Sequence, residues 1–99
     1  MEITEERMSR LLAGVKIDIG LASSTYYDER LKTYIESATA QIEREGVNLA
    51  EDSVDNNVII QEYARWKWTT RDAPVAMPRA LRLSLNNLLV QQKMRRTEV

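Results

Sequence analysis

Residues 27–47 read YDERLKTYIESATAQIEREGV and carry the clearest helical pattern in the 99-residue chain. The apolar side chains recur at helical spacing and fall on one stripe; they are Leu31, Tyr34, Ile35, Ala38 and Ile42. Asp28 is a candidate N-cap. Gly46 can take the left-handed conformation that ends a helix, and Val47 then folds back as an apolar contact. The stretch therefore predicts an amphipathic helix with a signal at each end.

The opposite face of this helix is charged, and it is a candidate surface for contact with another molecule. Four residues represent it: Arg30, Glu36, Glu43 and Arg44. We expect the apolar stripe to form the core of the subunit. Function is expected on the charged outer face and in the basic C-terminal third of the chain.

A first helix is predicted from a cap at Thr4 to about residue 17. Its buried face would consist of Met8, Leu11, Leu12 and Val15. The alternation of apolar and charged residues from Val15 to Ile19 leaves a short strand open as the alternative. Ser53 or Asp55 would cap a third helix that ends between residues 68 and 70. Its apolar residues cover so much of its circumference that we expect it to be central, or to pack against a second subunit.

Pro78 fits the first position of a fourth helix, where its missing N–H costs nothing. The core stripe of this helix would be Leu81, Leu85, Leu88 and Gln92, widened by Leu89. Leu83 and Val90 lie off the stripe and are either exposed or in contact with a partner. A loop with a break at Pro74 precedes the helix. The chain as a whole predicts one all-α domain, residues 1–99, built as a small bundle of about four helices.

The composition argues against most enzyme chemistry. The chain contains no cysteine and no histidine, which removes thiolates, disulfides, the commonest general base and the commonest transition-metal ligand. Its three glycines form no phosphate-binding loop, and the acidic stretch around Glu51, Asp52 and Asp55 lacks the spacing of a calcium loop. We therefore expect no catalytic residue, no cofactor and no metal site.

The N-terminal sequence MEITEERMSR has no basic start followed by an apolar segment, so a secretory signal is not expected. No apolar run approaches the roughly 20 residues that span a bilayer. A soluble protein made in a cytoplasm is the expectation.

The net charge of −1 conceals a division along the chain. Residues 1–64 hold six Lys/Arg and thirteen Asp/Glu, a net charge of −7, whereas residues 65–99 hold eight Lys/Arg and two Asp/Glu, a net charge of +6. Such a division is typical of a protein with a polyanionic partner, or of self-association between unlike surfaces. The alternative is that the two sets of charges interleave within the folded monomer.

The basic and aromatic residues from Arg65 to Trp68, followed by Arg71, have two interpretations. They are either a nucleic-acid surface that combines stacking with phosphate contacts, or a helix with Trp66 in the core and cations on its rim. Similarly, the terminal residues 93–96, KMRR, are either a solvated helix end or a docking element.

Several segments follow one another in a characteristic order: LLAGVKIDIGL, a short loop, and YDERLKTYIESATAQIEREGV, followed by a helix with a leading Asp and a central Tyr. From about residue 9 to about residue 95, this order resembles that of the head–tail connector (adaptor) family of tailed bacteriophages. The matching positions are Leu12, Val15, Lys16, Ile19, Asp28, Leu31, Ile35, Ala38, Gly46, Val47, Asp55, Ile59 and Tyr63. Where that family often has an acidic, turn-rich stretch, this chain has Trp68 to Arg71 and two prolines.

The resemblance implies a structural virion protein without enzymatic activity. Family members form a ring, typically of about twelve subunits, that extends the DNA channel beneath the portal protein and receives the tail or a stopper protein. The DNA would pass without sequence-specific contact, and the protein would reside in the virion after assembly in the host cytoplasm. No membrane partner is implied.

Candidate residues for contact with the portal or with neighbouring subunits come from the C-terminal third: Trp68, Arg71, Arg79, Arg82, Leu83, Val90, Lys93, Arg95 and Arg96. Two alternatives remain open at this point. One is a small nucleic-acid-binding or regulatory protein that uses Arg65, Lys67, Arg71, Arg79 and Arg82. The other is a helical subunit of a cellular complex.

Overall fold

A computed structural model of the chain describes residues 2–73 and 75–97, apart from the side chains of residues 96 and 97. Within this part of the chain there are four α-helices and no strand: α1 (Glu5–Asp18), α2 (Asp28–Arg44), α3 (Val54–Thr69) and α4 (Arg79–Thr97). The predicted all-α class is therefore confirmed, and the strand alternative is wrong because the alternating segment continues α1. The expected break at Pro74 lies outside the described residues.

Helix α1 begins and packs as its sequence predicts. The Thr4 hydroxyl accepts a hydrogen bond from the backbone N–H of Arg7 at 3.2 Å, and Glu5 and Glu6 occupy the first turn near the positive end of the helix dipole. Its predicted apolar stripe is buried as expected: Met8, Leu11, Leu12 and Val15.

The start of α2 differs from the prediction. Tyr27 takes the N-cap position without a side-chain capping hydrogen bond, and Asp28 is the first helical residue. The Asp28 carboxylate instead faces Lys16 of α1, whose Nζ lies 2.9 Å from Oδ1. Asp28 therefore forms an ion pair that joins the end of α1 to the start of α2, instead of capping α2 as predicted.

The end of α2 confirms the predicted stop signal. Glu45 is the C-cap, and Gly46 follows with a φ of +102°, a conformation that side chains with a Cβ rarely adopt. Val47 then turns inward and is buried in the core. This turn directs the chain into the connector that leads to α3.

Helix α3 is the central element of the bundle and packs against each of the other three helices. Of the two predicted caps, Ser53 is the one used, and its hydroxyl accepts a hydrogen bond from the Asn56 N–H at 3.2 Å. The buried apolar residues of the helix are Ile59, Ile60, Tyr63, Ala64 and Trp68. They point toward neighbours on several sides, which explains why the helix is apolar over most of its circumference.

The two tryptophans of α3 occupy different environments, and one differs from the prediction. Trp68, expected at a subunit contact, is only 6% exposed, with its ring edge-to-face against Tyr27 at 5.3 Å and Tyr34 at 5.6 Å. Trp66 is half-buried at the edge of the core. Trp68 is therefore a core residue of the subunit, because α2 and the loop before it supply the aromatic partners that its sequence position did not reveal.

Helix α4 packs chiefly on α3 through Leu81, Leu85 and Leu88, as the stripe predicts. It starts one residue later than expected, at Arg79; the carbonyl of Pro78 accepts the hydrogen bond of the Arg82 N–H at 3.1 Å, so the proline stands at the helix entrance. The face opposite the leucines carries the exposed side chains of Leu83 and Val90.

Replacing Ile60 by alanine tests the central position of α3. Ile60 is fully buried, so the variant should lower the free energy of unfolding by about 2–5 kcal/mol through lost burial and a cavity. Val54→Ala on the same helix, at a side chain that is 77% exposed, is the matched control and should change it by less than about 0.5 kcal/mol. Urea unfolding followed by tryptophan fluorescence measures both. Equal effects of the two substitutions would contradict the assignment.

Candidate functional site

The acidic connector between α2 and α3 holds Asp52 in an ion pair. The carboxylate accepts hydrogen bonds from the guanidinium of Arg10 and from Nδ2 of Asn57, the latter at 2.6 Å. These two hydrogen bonds, that of Arg10 first, lower the pKa of Asp52 to about 2. A carboxylate with so low a pKa is a poor general base near neutral pH.

Arg7 lies beside this pair and joins α1 to the connector and to α3. Although it is buried, its Nε donates to Oδ1 of Asn57 at 2.9 Å and its Nη2 donates to the carbonyl of Glu51 at 3.1 Å. Asn56 donates to the same carbonyl at 2.9 Å. A buried cation with its donors occupied in this way holds elements in register, so we regard this network as structural.

The Asp52 network predicts a pH-dependent contribution to stability. Because the folded-state pKa is depressed, the contribution is complete above the ordinary Asp value of about 4 and is lost as the pH falls through about 2. An NMR titration of the Asp52 carboxyl should give a midpoint near 2, and Arg10→Ala should move that midpoint toward the ordinary value. Arg30→Ala, on the exposed face of α2, should leave it in place. An unchanged midpoint in the Arg10 variant would refute this account.

No described residues form a group of three or more His, Cys, Asp or Glu that could hold a metal ion. A polar recess of about 560 Å³ lies between the connector and α4, where the Gln92 amide donates to the Asn48 carbonyl and accepts from the Asn48 N–H, both at 2.8 Å. Glu51, Asp55 and Arg95 also line it. These hydrogen bonds fix α4 to the end of α2.

The outer surface of α4 carries an apolar line of three residues, Leu83, Val90 and Met94, which we call the α4 ridge. They are 50%, 53% and 58% exposed. Their spacing of seven and four residues puts them on one side of the helix, opposite the buried leucines. Three large apolar side chains in one line on a surface are more typical of a contact site than the same residues scattered singly.

The cations of the C-terminal third are divided between internal pairs and the open surface. Arg82 pairs with Glu45 at the end of α2, at 2.5 Å, and this carboxylate raises the pKa of Arg82 above its ordinary value. Arg71 lies with its guanidinium carbon 3.8 Å from the centre of the Trp68 ring and donates to the Trp68 carbonyl at 2.6 Å. Arg79, Lys93 and Arg95 are exposed on α4, and the side chain of Arg96 lies outside the described residues.

The basic and aromatic stretch of α3 does not form a continuous stacking surface. Trp68 is in the core, and Trp66 is half-buried with its ring edge-to-face against Tyr63 at 5.4 Å. Arg65 is exposed and Lys67 is partly exposed. The arrangement fits the interpretation in which the tryptophans serve the core and the cations lie on the rim.

The charged outer face of α2 is exposed at Arg30, Glu36 and Arg44, whereas Glu43 is half-buried. Glu36 and Glu43 line a recess of about 370 Å³ together with Glu2 and Ile3 of the N-terminal segment. The fold therefore brings acidic residues from two parts of the sequence together here, on a different helix from the ridge.

A groove between α3 and α4 was not among the predicted sites. This α3–α4 groove has a volume of about 290 Å³ and is lined by Asp55, Val58, Ile59 and Glu62 of α3 and by Ser84, Asn87, Leu88 and Gln91 of α4. Val54 and Val58 are exposed on α3. Their spacing of four residues was a usable signal in the sequence, but the groove itself requires knowledge of which side of α3 receives α4.

No described helix is both long enough and apolar enough to cross a membrane. Comparisons of the chain with protein-family models, with curated proteins and with solved structures give no match. Function must therefore be inferred from the chain's own residues and from the resemblance in sequence pattern.

Proposed function

We propose that the chain is a structural subunit of the head–tail connector of a tailed bacteriophage. In this role several copies form a ring beneath the portal protein, and the ring receives the tail or a stopper protein. The copies assemble in the host cytoplasm and remain in the virion, where DNA passes through the ring without sequence-specific contact. The protein acts by binding and has no catalytic role.

The observation that carries the proposal is the exposed apolar outer surface of α4, at Leu83 and Val90 in particular. A helix of 19 residues is about 28 Å long, and α4 buries one face on α3 while the opposite face presents the α4 ridge. A small subunit with such a surface is suited to assembly, because burial of the ridge against another protein removes apolar area from water.

The distribution of charge supports assembly through unlike surfaces. The sequence of α4 contains no acidic residue. Acidic residues lie instead in the recess of Glu2, Glu36 and Glu43 and along the loop between α2 and α3. A ring needs a heterologous interface, in which one surface of a subunit meets a different surface of the next. Opposite charges on the two surfaces favour the encounter and disfavour contact between like surfaces.

The resemblance in sequence pattern gives the proposal its specific form. Its apolar marks fall on core positions such as Val15, Ile35 and Ile59, and its glycine mark falls at the end of α2. Core residues and a helix end at these positions explain why the chain folds as a small helical bundle. The choice of a phage connector among helical binding proteins comes from the resemblance and calls for a direct test.

Electron microscopy of the portal protein encoded in the same genome, purified with and without this chain, provides that test. We expect an added ring of density on one end of the portal, in register with its rotational symmetry, only when the chain is present. Portal alone is the control. A portal that gains no ring at saturating concentrations of the chain would refute the proposal.

The competing nucleic-acid function makes a different prediction. A protein that binds through Arg65, Lys67 and Arg79 should shift duplex DNA at low salt, with an affinity that falls steeply as salt rises. The connector function requires no such shift by the isolated chain. Tight, salt-dependent DNA binding together with no ring on the portal would favour the competing function.

A further inference from the structure

A recess of about 350 Å³ lies between α2 and the end of α3, and we call it the α2–α3 recess. Two cations line it, Lys67 in the last turn of α3 and Arg71 in the turn that follows. None of the described residues that line it is acidic. Its other lining residues are Tyr34, Gln41, Trp66, Thr70 and Val75. A concave surface with two cations and no carboxylate favours a negatively charged occupant.

The guanidinium of Arg71 is held in place by the protein itself. Its central carbon lies 3.8 Å from the centre of the Trp68 ring, and Nη1 donates to the Trp68 carbonyl at 2.6 Å. Its Nε and Nη2 make no hydrogen bond with the described residues. A guanidinium that is already stacked loses little conformational freedom on binding, and its free N–H groups suit the two oxygens of a carboxylate.

Two further donors of the recess lack an acceptor in the protein. Oε1 of Gln41 accepts a hydrogen bond from the Tyr63 hydroxyl at 2.9 Å, whereas the N–H groups of its Nε2 make no hydrogen bond with the described residues. Lys67 is only partly exposed and has no ion-pair partner in the described part of the chain. A bound carboxylate supplies acceptors for these donors, in addition to those of Arg71.

The carbonyl groups at the end of α3 are covered by donors from the chain. This matters because a helix carries partial negative charge at its C-terminal end, which disfavours an anion there. The Trp66 carbonyl accepts hydrogen bonds from the hydroxyls of Thr69 at 3.2 Å and Thr70 at 2.7 Å, and the Trp68 carbonyl accepts from Arg71. These hydrogen bonds reduce the negative potential beside the recess.

The recess also has an apolar part. Val75 is 56% exposed and Trp66 is half-buried, so both offer apolar area beside the cations. Duplex DNA matches less well, because it binds through phosphate contacts spread along its length, and the nearby cation Arg65 lines a separate recess. A peptide in which acidic and apolar side chains alternate matches both parts of the recess.

We propose that the α2–α3 recess binds an acidic peptide segment of a partner protein. A carboxylate of the segment accepts hydrogen bonds from Arg71 and Lys67, with Gln41 as a further donor. The neighbouring apolar side chain of the segment covers Val75 and Trp66. None of the lining residues belongs to α4, so the inference goes beyond the proposed function and holds whether or not copies of the chain form a ring.

An NMR titration of the ¹⁵N-labelled chain tests the contact. The two tryptophans give two indole N–H signals, from Trp66 in the wall of the recess and from Trp68, whose ring contacts Arg71. The probe is a capped peptide of alternating Asp and Leu, and its matched control has Asn in place of each Asp. We expect the acidic peptide to shift the Trp66 signal and the side-chain amide of Gln41, with an affinity at least about tenfold above that of the control. Equal affinities, or no shift of these signals by either peptide, would overturn the inference.

Arg71→Gln should lower the affinity for the acidic peptide by about tenfold or more, since it removes the stacked guanidinium. Lys67→Gln, which leaves the contact with Trp68 in place, should lower it in the same direction. Arg65→Gln removes an exposed cation of the same helix outside the recess and should change it by less than about twofold. Thermal unfolding followed by circular dichroism verifies that the variants fold.

Three results of these titrations would contradict a site for acidic peptides. One is an equal loss of affinity in the Arg65 and Arg71 variants. Another is a short DNA duplex that gives the same shifts and binds more tightly than the peptide at the same salt concentration. The third is displacement of the peptide by an equal concentration of inorganic phosphate.

Discussion

The burial of α3 between the other three helices is the constraint on which the rest of the structure depends. Ile60 and Ala64 are completely buried, and Ile59, Tyr63 and Trp68 are nearly so, which fixes the helix by contacts on several sides. Close packing allows few alternative arrangements around such a helix. The positions of α1, α2 and α4 are therefore set largely by the sides of α3 that each one covers, and the strip with Val54 and Val58 is the part left exposed.

The exposed features of α4 follow from its place at the edge of this arrangement. The helix packs chiefly on α3, and the Gln92 amide and the Arg82–Glu45 pair attach its sides to the end of α2. A helix with one principal neighbour buries one face and leaves the other in water. The packing of α4 on α3 therefore leaves Leu83 and Val90 of α4 exposed and forms the α3–α4 groove.

Charge has two different uses in the molecule. Within the first 64 residues, Arg10 pairs with Asp52 and Lys16 with Asp28, so part of the acidic excess holds helices together. In the C-terminal third, Arg71 and Arg82 also have internal partners, while Arg79 and Lys93 remain on the outer surface of α4. Of these contacts, the Arg82–Glu45 pair joins the C-terminal third to the first 64 residues, so folding interleaves the two sets of charges in part.

The sequence by itself determined the helices, most of their ends and most of the core, because apolar periodicity and capping residues act within a few positions of the chain. Thr4, Ser53 and Gly46 have the roles that local chemistry predicts. Only the tertiary structure decided that Trp68 is a core residue and that Asp28 pairs with Lys16. The tertiary structure also decided that a groove lies between α3 and α4. These features depend on which residues distant in sequence become neighbours, and periodicity along one helix carries no information about the helix that covers it.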